Sequence, residues 1–224
     1  MVNIKCLPRL GVASRYVLKI EASGQFIHSC KLLLPIMPTG YRIQDQQGLY
    51  YLTLQVVEWI DVFTRQSYKD IIIENLRFCQ QNKRFTIFAY VIMSNHVHML
   101  VQSETGKLSE TIRDFKSYTS KVILNQVESG NESRKEWMLD VFAKAALKHE
   151  RNSKYQFWTH ENHSEHIYSN KFIAQKIEYI HANPVRAGIV FKPEDYIYSS
   201  AKNYAGLENI LDVQLLTLPW KTYL

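Results

Sequence analysis

The sequence predicts an α+β fold, a ferredoxin-like antiparallel sheet with helices packed on it. Segments of strand and helix character follow one another as strand–helix–strand–strand–helix–strand, the order of a split βαβ unit with its helices on one face. The second and third strands are separated only by Ser94-Asn95, a turn signal, and so pair as a hairpin. At 224 residues with 46% hydrophobic content, the chain is long enough for one cored domain, with or without an appendage.

Residues 1–36 hold no sustained helical or strand period. They are expected to form a poorly ordered N-terminal extension, the alternative being a genuine N-terminal arm. Met37 precedes the turn Pro38-Thr39-Gly40-Tyr41, and the domain is placed at 37–224. Leu49–Glu58, rich in Tyr, Leu, Thr and Val, is a strand. Gln66–Gln81 is a helix with Ile71, Ile72, Leu76 and Cys79 near helical spacing. Phe85–Met93 and His96–Gln102 form the hairpin. Leu108–Val127 is an amphipathic helix, Glu128–Ser133 a polar loop and Arg134–Lys148 a further helix. Tyr155–Trp158 is a short strand candidate. Ser169 caps a helix that runs to about Ala182, where Pro184 is expected to help end it, because the residue before proline disfavours the α region. Turns and a short helix complete the C-terminus.

The formal net charge is +6, of which Lys5, Arg9, Arg15, Lys19 and Lys31 against Glu21 place +4 in residues 1–36. Net charge therefore supports nucleic-acid binding only weakly for the domain itself. No apolar run reaches the roughly 18 residues of a membrane span, so a cytoplasmic protein without membrane contact is the default. Cys6, Cys30 and Cys79 are scattered, with no CxxC pair for a thiolate zinc site.

Two local patterns carry chemistry. In His96-Val97-His98, strand alternation puts both imidazoles on one face, about 6.6–6.8 Å apart along the chain, where they can converge on one metal ion. The spacing equally describes two histidines on a solvated face. Tyr179 and Asn183 stand four apart and share a helical face. The plainer reading is a boundary tyrosine followed by a helix-terminating asparagine. Taken together they suit phosphodiester chemistry: a tyrosine oxygen attacks phosphorus, conserves the ester energy in a 5′-phosphotyrosine and frees a 3′-OH. A divalent ion would polarise the phosphate. A mixed nitrogen and oxygen donor set suits Mn²⁺ as well as Mg²⁺.

These residues bring a family into view. Tyr90–His98, which contains His96-Val97-His98, resembles the HUH motif of the single-tyrosine transposases. Glu178–Gly188 resembles their catalytic helix, and Tyr196–Ser200 the segment after it. The nearest subgroup is the REP-associated tyrosine transposases, and the likeness runs from about Met37 to the C-terminus. It implies an HUH endonuclease/transposase fold, Tyr179 as nucleophile, and His96, His98 and Asn183 as ligands of Mg²⁺ or Mn²⁺. Many relatives carry Gln at the last position. It further implies single-stranded or hairpin DNA as partner, cleaved and rejoined by a monomer or homodimer. The alternative is a domesticated, catalytically silent hairpin-binding protein on the same fold. Arg113, Lys116, Lys176 and Arg186 are candidate phosphate contacts, against the plainer reading of a solvated helix surface. Tyr118, also on a helix after the histidines, is the competing nucleophile but reads as structural. His160, His163 and His166 form a histidine-rich stretch without a partner at a defensible spacing.

Overall fold

The computed structural model describes residues 42–148 and 154–217, so the expectation for residues 1–36 lies outside the described residues. The strands are β1 (Tyr50–Gln55), β2 (Phe85–Ile92), β3 (His96–Ser103) and β4 (Glu165–His166). They form one antiparallel sheet in the order β2-β3-β1-β4. β3 lies between β1 and β2, the insertion that defines the split βαβ arrangement.

The helices are α1 (Gln66–Lys83), α2 (Leu108–Ser129), α3 (Lys135–Leu147), α4 (Asn170–Arg186) and the single turn α5 (Ala201–Tyr204). Each of the long ones buries a stripe at helical spacing. α1 buries Tyr68, Ile72, Leu76 and Cys79, and α2 buries Leu108, Ile112, Phe115, Thr119 and Ile123. α4 buries Ala174, Ile177 and Ile180, and Ser169 caps it by accepting from the Phe172 N–H at 3.3 Å.

Helices cover both faces of the sheet, where the sequence predicts one. Leu52, Leu54, Val97, Met99 and Val101 face one way and are fully buried. Trp158 bridges to Val56 on that side, and its indole N–H donates to Thr119 Oγ1 of α2 at 3.1 Å. α2, with α1 packed on it, therefore forms the layer behind this face. The other face carries the histidines and is covered by α4, whose Tyr179 ring meets both His98 and Tyr51. The element order is the same in either arrangement, because the placing of α4 depends on where the chain crosses after β4.

Two local expectations change. Tyr155–Trp158 contributes one isolated bridge, and the fourth strand is Glu165–His166, paired to Tyr51 and Tyr50. Phe157 and Trp158 are buried aromatic plugs, so their apolar character reflects core packing and not a ladder. Pro184 lies inside α4, which continues to Arg186. The stop comes from Gly188, whose φ is +69°: its N–H donates to the Val185 carbonyl and that of Ile189 to the Pro184 carbonyl, a Schellman arrangement. Among the described residues no helix is long and apolar enough to cross a membrane.

Candidate active site

β3 alternates strictly, so His96, His98 and Leu100 share the α4-facing side while Val97 turns into the opposite layer. The two imidazole centroids are 4.5 Å apart. Burial pushes His96 down to about 4, and burial with the nearby His96 and Lys176 pushes His98 down to about 3. Both rings are therefore neutral near pH 7, the form that binds a metal.

For His96 a neighbouring side chain settles which nitrogen is free. Asn95 donates from Nδ2 to the Trp59 carbonyl and to Asp61 Oδ1, both at 3.2 Å, which turns its amide oxygen toward His96. That oxygen only accepts, so His96 Nδ1, 2.7 Å away, carries the proton and Nε2 keeps its lone pair. His98 Nδ1 is held between Tyr51 Oη at 2.8 Å and Thr53 Oγ1 at 2.9 Å. Both hydroxyls can accept, so a His98 protonated at Nδ1 is held by them with Nε2 left for a ligand. Burial raises the Tyr51 hydroxyl well above its ordinary range, so it stays protonated.

α4 supplies the rest. The Tyr179 ring stands edge-on to His98 at 5.4 Å and to Tyr51 at 6.2 Å, and the residue is 38% exposed, packed on one side and reachable on the other. Asn183 donates from Nδ2 to the Tyr179 carbonyl at 2.7 Å, which leaves its side-chain oxygen, the atom a metal would take. Among the described residues no group of three or more His, Cys, Asp or Glu side chains could hold a metal. An amide oxygen such as that of Asn183 beside the two histidines would make a mixed nitrogen and oxygen donor set, which would suit Mn²⁺ better than Mg²⁺.

Two of the four candidate cations stand here. The Lys176 ammonium lies 4.0 Å from the Tyr51 ring centroid and pairs with Glu165 at 2.8 Å. The Arg186 guanidinium lies 5.2 Å from the Tyr179 ring centroid. Arg113 and Lys116 are on α2, in the layer behind the sheet. Lys116 Nζ donates to the Thr159 carbonyl and to Asn162 Oδ1, each at 2.7 Å, and burial lowers it to about 8. It ties α2 to the chain beside β1. Arg113 is exposed and pairs with Asp114. Tyr118 lies on α2 as well, among Ile71, Phe78 and Phe115. His166 stacks on Tyr50 at 5.0 Å on the β4 edge. His160 and His163 line a cavity with Glu58 and Lys148.

Tyr51, Thr53, Asn95 and Trp59 belong to this site and were not singled out from sequence. Tyr51 and Thr53 carry the same two-residue period as the histidines, but the register that sets Thr53 opposite His98 is not written in either strand.

The family profile described as "Transposase IS200 like" matches residues 49–183, more than half of the chain. A solved structure described as "Structure of the REP associates tyrosine transposase bound to a REP hairpin" superposes with a TM-score of 0.52 at 17% identity, covering 82% of this chain and 98% of that one. No curated protein matches the chain.

Proposed function

The chain belongs to the IS200-like transposase family, and from that footing as a transposase-family DNA-binding protein we propose that it cuts and rejoins single-stranded DNA with Tyr179 as nucleophile, aided by a divalent ion held by His96, His98 and Asn183. The observation that supports this reading best is the Tyr179 ring 5.4 Å from His98, on the sheet face that carries both histidines. Tyr179 Oη would attack phosphorus, forming the 5′-phosphotyrosine as the 3′-oxygen leaves. The liberated 3′-OH, or another one, would reverse the step and seal a strand. Packing against Tyr51 and His98 fixes the ring, so the hydroxyl is presented with little rotational freedom to lose. Arg186 beside Tyr179 and Lys176 beside Tyr51 would offer positive charge to an arriving phosphate. A bound Mn²⁺ or Mg²⁺ would polarise the phosphate through a non-bridging oxygen.

Hairpin DNA is the proposed partner, carried over from the structural neighbour, which is described as bound to a REP hairpin. The test is incubation with labelled single-stranded hairpin DNA and Mn²⁺, followed by denaturing electrophoresis and mass spectrometry of the adduct. The expected result is DNA joined to Tyr179, with no adduct from Tyr179→Phe and nearly intact DNA binding, since the ring and its packing remain. Tyr118→Phe should stay active. An adduct on Tyr118 would show the wrong helix assigned, and tight hairpin binding without any adduct would make the chain a silent binding protein.

A further inference from the structure

We propose that Trp59 is a stacking platform for one unpaired nucleobase of the strand that enters beside the histidine pair, an inference that rests on the strand-cutting reading above. The indole is 56% exposed, and its centroid lies 5.9 Å from that of His96 with the two rings nearly perpendicular. With more than half of the residue open to solvent, the indole can meet a flat base at the rim of the site.

The chain spends conformational energy to keep the ring there. Glu58 and Trp59 are consecutive left-handed residues, with φ of 51° and 55°, and neither is glycine. Such conformations persist only where their surroundings enforce them, and they concentrate at functional sites. Here the enforcement is visible. Val57 and Ile60 on either side are buried anchors. Asn95 Nδ2 donates to the Trp59 carbonyl, and Ser94 Oγ donates to Asp61 Oδ1 at 2.6 Å. Arg134 holds the Asp61 carbonyl at 3.1 Å, and Lys148 pairs with Glu58 at 2.7 Å. The Asn95 amide that fixes the Trp59 carbonyl also accepts from His96 Nδ1, so platform and histidine are held by one side chain.

An exposed indole on a held backbone beside a candidate phosphate site has the properties of a base platform. Every base presents a π-face, so the contact is tolerant of sequence and needs no hydrogen-bond code. It would fix the position of a nucleotide next to the scissile phosphate while Tyr179 attacks from the α4 side.

The test uses the full chain, Mn²⁺ and a hairpin oligonucleotide with a single-stranded flank, with an abasic site moved through the flank one position at a time. Trp59→Ala should weaken binding by about tenfold, the size of one lost base stack, while Trp59→Phe keeps most of the affinity. One abasic position should weaken wild type by the same factor and weaken Trp59→Ala no further. Mn²⁺ affinity should be unchanged in both variants. If wild type forms the covalent adduct but Trp59→Ala binds the flank equally well, or is weakened further at every abasic position, the platform is wrong and the strand-cutting reading stands. Loss of Mn²⁺ binding in Trp59→Ala would make the residue a support for His96 and overturn the proposal. If wild type neither binds the flank nor forms an adduct, the strand-cutting reading itself fails and takes the platform with it.

Discussion

His98 is oriented by two hydroxyls from a different strand. Tyr51 and Thr53 both approach its Nδ1, and both sit on β1, opposite β3. Groups that hold the far nitrogen of a metal-ligating histidine fix its tautomer and ring angle, and removing them commonly costs roughly 10–100-fold in metal affinity. Tyr51→Phe keeps the ring stacked on His98 at 5.4 Å and removes only the hydroxyl. The expected outcome is about a tenfold loss of Mn²⁺ affinity, measured by titration calorimetry, with little change in thermal stability. Combination with Thr53→Val should deepen the loss, because Nδ1 then has neither partner. An unchanged affinity in the double variant would mean that His98 does not bind through Nε2. On the other side of the same layer, His181 of α4 is pushed down to about 4 by burial and hydrogen-bonds Ser200 at 2.8 Å. Its neutral ring is part of how α4 is held to the C-terminal segment.

At the scale of elements, the helix that carries Tyr179 ends two residues beyond its proline. Pro184 is buried at the third position from the end of α4, and its own carbonyl accepts from Ile189, so the ring is accommodated where the ladder is already finishing. Gly188 makes the stop. Nothing lies within 4 Å of the position a side-chain carbon would take there, so a substitution meets backbone strain and no clash. Gly188→Ala should cost about 1 kcal/mol by thermal or urea denaturation, and Gly188→Asn less, because asparagine tolerates the left-handed region. A loss above roughly 3 kcal/mol would point to a packing role not visible at Gly188. The predicted polar loop 128–133 has a structural centre too. Glu132 is buried, pairs with Arg65 at 2.6 Å and Arg134 at 3.3 Å, and accepts from Tyr68 Oη at 3.2 Å, which binds the α2–α3 connection to the start of α1.

For the whole molecule, the outer sides of β1 and β2 are both met by further chain. The outer edge of β1 is met by Phe157–Ile167 through the bonds Val57 to Phe157, Thr159 to Gln55, Thr53 to Asn162 and Ile167 to Leu49. The outer edge of β2 is met by Tyr196–Ser200, through Ile92 to Tyr198 and Ser200 to Tyr90. Cover on the β2 edge removes one route to strand pairing between molecules. Tyr196–Ser200, which resembles a family segment in sequence, thus also has a physical role in the fold. It closes the sheet and, through Ser200, holds α4. The described sheet and helices span residues 50–204. A chain beginning at Met37 is expected to keep the fold and the proposed hairpin binding of the full chain, tested by circular dichroism and gel shift. A loss of several kcal/mol of stability would place residues 1–36 in the core.

Features that depend on neighbours a few positions apart were legible in the sequence. Two-residue alternation set His96 and His98 on one face, and four-residue spacing set Tyr179 with Asn183. The stripes of α1, α2 and α4, the hairpin turn at Ser94-Asn95 and the Ser169 cap were legible for the same reason. Tertiary structure decided the rest. Of four similar-looking cations, it brought Lys176 and Arg186 to Tyr51 and Tyr179 and left Arg113 and Lys116 on α2. It set α4 on the opposite face from α2, made a strand of Glu165–His166 and gave His98 its partners on β1. Each of these depends on which segments meet across long stretches of chain, and such meetings follow from how the whole core packs, which no local period encodes.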